Sequence, residues 1–150
     1  MKKKYVLDSN VLIHMVRQSP IWKKIDDEFD PFGNLPYLSV ATIAEVISFG
    51  EQKKWGTKKM NFLKGIFHSC EVIEISKDLV SHFVEIDVFS QGKHPTLKLS
   101  KGMSARNMGK NDIWIAATTK SIEGAELITT DRDFEHLDGV WFGVNYAESI

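Results

Sequence analysis

YVLDSNVLIHMV, residues 5–16, is a short apolar run, then an acid, then apolar residues at Val11, Leu12, Met15 and Val16. The first part reads as a β-strand and the last four positions mark one face of a helix. Strand, acid-bearing turn and helix in immediate succession are the opening of an α/β unit. The same order recurs downstream. Pro36 precedes the β-favouring YLSV, and Ser39 or Thr42 is placed to cap a helix over ATIAEVISFGEQKK, residues 41–54, with Ile43, Val46 and Ile47 facing inward. A further helix spans residues 57–67 through Met60, Leu63 and Phe67, and EVIEI, residues 71–75, reads as a third strand. Ser76 opens a helix carrying Leu79, Val80, Phe83 and Ile86.

Residues 90–109 hold Gly, Pro, Ser and Lys with little periodicity and read as a long loop with room for a short helix. Asn111 then caps a helix running to Ile122, ELIT (126–129) forms a fourth strand leading to Asp131, and VWFGV (140–144) forms a fifth. Alternation of strands and helices predicts a mostly parallel sheet with helices on both faces, an α/β sandwich.

At 150 residues the chain suits one domain, 1–150, able to bury a core without staples. Its 43% hydrophobic and 26% charged residues exclude disorder and fibrous repeats. MKKKYVLDSN reaches Asp8 after three apolar residues, too few for a signal h-region, and no run approaches a membrane span. The single cysteine, Cys70, excludes an internal disulfide and a multi-cysteine metal site, and a cytoplasmic setting is expected. Net charge is −1, but its distribution is uneven. Residues 88–111 contain no acid, yet carry Lys93, Lys98, Lys101, Arg106 and Lys110, and a second cluster is Lys53, Lys54, Lys58 and Lys59. Each is either a solvated surface or a phosphate-contacting rim.

Asp8 and Asp131 fall at strand ends, Glu45 near the first turn of the helix after the second strand, and Asp112 at the N-terminus of the helix before the fourth. In parallel α/β folds these positions share the carboxyl edge of the sheet, where ligands bind. Singly, each acid has an ordinary structural role open to it: a turn former at Asp8 and Asp131, a first-turn helix acid at Asp112. Four together repel one another, and no matching set of arginines lies nearby in sequence to neutralise them. A divalent cation resolves the repulsion, and oxygen-only donors favour Mg²⁺ or Mn²⁺ over zinc. Such ions, one or two, serve the attack of water on a phosphodiester.

With those residues in place, the chain resembles the PIN-domain ribonucleases, in particular the VapC toxins of VapBC toxin–antitoxin pairs. YVLDSNVLI is similar to the family's first motif and puts its acid at Asp8, with Asn10 at a position that is often small and polar. LSVATIAEVISFG resembles the second, at Glu45; MGKNDIWIAATT the third, at Asp112; LITTDRDFEHL the fourth, at Asp131, with Asp133 two residues on as a bracing or water-mediated neighbour. The resemblance implies a three-layer α/β/α domain with a parallel sheet of order 3-2-1-4-5, and Mg²⁺- or Mn²⁺-dependent endonucleolytic cleavage of RNA. It further implies a homodimer and a small antitoxin protein whose tail occupies the site. Asp8 and Asp112 would lead as metal ligands, with Glu45 and Asp131 completing the pocket; Ser9 and Thr130 are placed to orient carboxylates or to satisfy the turn. Trp114 and Trp141, in apolar elements, are expected in the core rather than as base-stacking platforms.

Three alternatives compete. One is an RNA-processing nuclease outside a toxin–antitoxin pair. Another is a binding module without cleavage, which has no need of four acids. The third is an aspartyl-phosphate enzyme, whose DxDx[TV] pattern is absent from DSNVL at residues 8–12.

Overall fold

The computed structural model describes residues 1–147. β1 (Lys4–Leu7) passes into α1 (Ser9–Arg17) through Asp8 alone, whose backbone is extended and whose carboxylate accepts from the Ser9 N–H at 2.7 Å. Asp8 is thus the N-cap of α1, set directly after the end of β1. α2 (Pro20–Phe29) follows, an element absent from the sequence expectation although Ile21, Trp22, Ile25 and Phe29 recur at helical spacing. Its start signals are present: Ser19 accepts from the Trp22 N–H and Pro20 occupies the first turn. Trp22 and Ile25 are its buried residues, Ile21 and Phe29 pack partly buried beside them, and Lys23, Lys24, Asp26, Asp27 and Glu28 form the solvated face.

A 3₁₀ turn (Pro31–Gly33) leads to β2 (Leu35–Ser39), α3 (Val40–Gln52), α4 (Thr57–His68), β3 (Glu71–Ile73) and α5 (Leu79–Ser90). A long irregular segment then reaches α6 (Lys110–Ser121), β4 (Glu126–Thr129), a 3₁₀ helix (Arg132–Leu137) and β5 (Gly143–Tyr146). The strands form one parallel sheet in the order β3-β2-β1-β4-β5, as expected. β1 pairs with β2 on one side and β4 on the other, so the order reverses at β1 and leaves a crevice beyond its carboxyl end.

Period-two alternation divides the core between the two faces of the sheet. Tyr5, Leu7 and Ile128 pack with Val11, Leu12, Val46 and Leu63 from α1, α3 and α4. Val6 and Leu127 pack on the opposite face with Ile86, Phe89, Ile113 and Ile115 from α5 and α6. Trp114 and Trp141, expected in the core, are partly buried and pack against this second cluster from its edge. No described helix is long and apolar enough to cross a membrane.

Several boundaries differ from the sequence expectation. Ser39 caps α3 by accepting from the Ala41 N–H, leaving Thr42 inside the helix. Glu45, the sixth residue of α3, therefore stands in its second turn. β3 stops at Ile73, and α5 starts at Leu79 rather than Ser76. Val80 is 49% exposed, since Leu79 and Ile86 define the buried face of α5. α6 has Gly109 at its cap position, so Asn111 is an interior residue and not the cap. β5 begins three residues later than VWFGV suggests. Gly139, at φ 77°, turns the chain there and donates to the Phe142 carbonyl at 2.9 Å, so Val140, Trp141 and Phe142 supply apolar packing from a turn. The stretch between α5 and α6 has no helix. It is pinned by the Arg106 N–H on the Ser90 carbonyl (2.7 Å) and by buried Met108 against the Ser90 hydroxyl.

Candidate active site

Each acid is delivered by the element before or after it. Burial of Val6 and Leu7 draws β1 into the middle of the sheet and carries Asp8 with it, leaving Asp8 only 2% exposed. α6 is held against the sheet by Ile113, Ile115, Ala116 and Ala117, and Thr118 and Thr119 return their hydroxyls to the carbonyls of Trp114 and Ile115 at 2.9 Å. That buried face fixes Asp112, in the first turn, at the sheet edge. Asp131 follows β4 after Thr130 and caps the 3₁₀ helix, accepting from the Asp133 N–H at 2.9 Å.

The structure brings all four expected acids together. Asp8, Glu45, Asp112 and Asp131 line one open cleft of about 530 Å³, with Ser9, Asn10, Asn111 and the α3 residues Ala44, Ser48, Phe49 and Gln52. Carboxylate oxygens of Asp112, Asp131 and Asp133 lie within 4.8 Å of one another, so Asp133 joins the cluster from its exposed side.

Hydrogen bonds organise the acids. Thr129, the last residue of β4, donates its hydroxyl to Asp8 Oδ2 at 2.7 Å and accepts the Asp131 N–H at 2.9 Å. The carboxylate-orienting threonine is therefore Thr129, not Thr130. Ser9 serves Asp8 through its backbone N–H, while its own buried hydroxyl has no partner among the described residues. Asn111, freed from capping, donates its side-chain amide to Glu45 Oε2 at 3.4 Å. Two threonines, Thr129 and Thr130, stand together at the strand end, and which of them meets Asp8 depends on the strand's pleat relative to β1.

Burial and charge crowding act together on the acids. Burial pushes the Asp8 carboxyl up to about 6; the Thr129 and Ser9 hydrogen bonds pull the other way, and Asp131 and Glu45 push it up further. Burial, then the fields of Asp8, Asp131, Glu45 and Asp133, push Asp112 up to about 7. A carboxylate cluster at this tension suits a hard divalent cation, which would replace proton uptake as the means of neutralisation.

A doubly wound α/β/α domain with an all-carboxylate cleft at its switch point is the class that fold and site define. The chain matches the PIN domain model over residues 5–140 and belongs to that family. Its fold is shared with a DNA-bound VapBC from Salmonella typhimurium, at 18% identity and TM-score 0.69 over 96% of this chain and 97% of that one. It is shared with a toxin–antitoxin complex from Klebsiella pneumoniae, at 20% identity and TM-score 0.67 over 97% and 99%. A third is VapBC-5 from Mycobacterium tuberculosis, a member of the VapBC family of toxin–antitoxin systems, at 22% identity and TM-score 0.60 over 97% and 98%. Comparison with curated protein sequences finds no match.

Proposed function

We propose that this chain is a Mg²⁺- or Mn²⁺-dependent endoribonuclease, the toxin of a type II toxin–antitoxin pair, working in the cytoplasm as a homodimer. The observation that carries the nuclease reading is the convergence of Asp8, Glu45, Asp112 and Asp131 from four separate segments on one cleft. Structural roles for single acids do not account for it, because each acid raises the cost of ionising Asp112. Membership of the PIN domain family supports the same reading.

Asp8 and Asp112 would lead in holding the ion, with Glu45 and Asp131 beside them and Asp133 near enough to contribute. When bound, a divalent ion supplies an activated water and neutralises charge developing on a phosphodiester under attack. The protein's own contribution is preorganisation. Thr129 ties Asp8 to the backbone of Asp131, Asn111 steadies Glu45, and the packed face of α6 keeps Asp112 from swinging away. The antitoxin partner is supported by solved structures of the same fold that are toxin–antitoxin complexes.

Incubating the purified chain with total cellular RNA in Mg²⁺ and mapping new ends tests the activity. Internal cuts that vanish with EDTA, return with Mn²⁺ and are missing for Asp8→Asn and Asp112→Asn are expected. Equal turnover by wild type and both variants, or activity persisting in excess chelator, would sink the assignment. The toxin role is tested separately: a small DNA-binding protein encoded beside this chain should relieve growth arrest when co-expressed.

A further inference from the structure

We propose that Ser9 is a positioning residue of the acidic cleft, its hydroxyl accepting a hydrogen bond from a water that a divalent cation carries to Asp8. The proposal rests on the cation reading above and gives a role to a side chain that the acids leave unused.

Ser9 is 3% exposed and lines the cleft beside Asp8, Asp112 and Asp131. Its N–H donates to Asp8 Oδ1 at 2.7 Å, and the Thr129 hydroxyl donates to Oδ2 at 2.7 Å. Each oxygen of Asp8 therefore receives one hydrogen bond and keeps lone-pair capacity for an ion. The Ser9 hydroxyl takes part in neither bond and has no partner among the described residues.

The usual employments of a serine at the start of a helix are closed to it. Asp8, the residue before, already caps α1. Returning the hydroxyl to a carbonyl four residues back, as serine does inside helices, would reach Tyr5, which belongs to β1 and not to α1. Alanine would fill the same place in α1 as a better helix former with no polar atom to bury, so the hydroxyl costs stability that the fold alone does not return. A buried hydroxyl of this kind calls for an ordered water or an ion as its partner.

Thr42 Oγ1 and His136 Nδ1 are also buried without a partner among the described residues, but neither residue lines the cleft. Ser9 differs from both in binding a carboxylate of the cluster through its own main chain. Carboxylate donors suit a hard cation that keeps part of its water shell, and water on such an ion donates strongly. A serine oxygen accepts that hydrogen bond without adding negative charge to acids that already repel one another. Turning about Cα–Cβ between staggered positions re-aims the hydroxyl and leaves the backbone in place.

The test titrates the full-length chain with Mg²⁺, then with Mn²⁺, in the absence of RNA, reading the thermal midpoint at each concentration and the Kd by calorimetry. Ser9→Ala should melt in EDTA at or above the wild-type midpoint, yet bind Mg²⁺ about 10-fold more weakly, as loss of an outer partner of a metal site does. Thr42→Val, which removes a buried hydroxyl away from the acids, should change the midpoint equally with and without Mg²⁺. Wild-type Mg²⁺ affinity in Ser9→Ala overturns the proposal, and if RNA binding alone is impaired the hydroxyl belongs to the substrate. A Ser9→Ala midpoint below wild type in EDTA also overturns it, making the hydroxyl part of the fold. A loss of Mg²⁺ affinity in Thr42→Val equal to that in Ser9→Ala does the same, tracing the effect to helix packing. A wild-type chain that neither ion stabilises removes the cation reading and this proposal with it, so the wild-type titration tells the two failures apart.

Discussion

The Thr129 hydroxyl donates to Asp8 Oδ2 at 2.7 Å, joining residues 121 positions apart, and the same oxygen accepts the Asp131 N–H. One side chain thus sets the spacing of two acids on adjacent strands.

Thr129→Val keeps the shape and removes both hydrogen bonds. The Asp8 carboxyl should rise further above about 6, since the Thr129 hydroxyl is what pulls it down most. Stability near neutral pH should fall by about 1–3 kcal/mol, the cost of leaving buried polar groups unpaired. Thr129→Ser should recover most of the loss. Urea denaturation measures this, and a Val variant as stable and active as wild type would remove Thr129 from the site.

Asp112→Asn and Asp8→Asn should each abolish RNA cleavage yet fold. Without metal at neutral pH, Asp8→Asn should be more stable than wild type by up to about 3 kcal/mol, the equivalent of roughly two pH units on one group. A variant that is less stable than wild type in EDTA would show that Asp8 is needed for packing rather than held for its charge.

The pH dependence of that difference has a fixed sign. Asp8 and Asp112 sit at about 6 and about 7 in the folded chain against 3.8 for a free side chain, so the folded state holds protons that the unfolded state has released. Their contribution is fully present below about pH 4 and is lost as pH rises through 6 to 7. His136 opposes this: burial and then the Arg106 charge lower it from 6.5 to about 4, so its contribution is present above 6.5 and lost as pH falls. In EDTA, the advantage of Asp112→Asn over wild type should therefore grow between about pH 4 and 7. A flat difference across that window would contradict the charge crowding.

Mg²⁺ should raise the thermal midpoint of wild type, by an amount equal to about 2.7 kcal/mol when the ion is at a hundred times its Kd. Asp112→Asn should show little of that shift. Equal stabilisation of both chains would place the ion elsewhere.

Legibility in the sequence varies by element. The opening strand and helix, the ELIT strand and the four acids are legible because each depends on a pattern a few residues long. α2 is less so: Ile21, Trp22, Ile25 and Phe29 do fall at helical spacing, but the element is ten residues long and closely follows α1. β5 starts three residues beyond its apparent beginning, because β-branched and aromatic side chains favour a strand while Gly139 turns the chain first. Asn111 has the chemistry of a cap for α6, but Gly109 takes that position; the Asn111 side chain is thereby available to Glu45, 66 residues away.

The amino-acid sequence by itself determined the alternation of strands and helices, the position of each acid at or near an element's end, and the family motifs that order them. Those are local properties of hydrophobic period and turn chemistry. Only the tertiary structure decided that Thr129 rather than Thr130 meets Asp8, that Asp133 comes within reach of Asp112, and that Arg106 returns to the backbone between Asp131 and Asp133. Strand register and loop return set those contacts, and both are fixed by burial on the two faces of the sheet, a property of the whole chain.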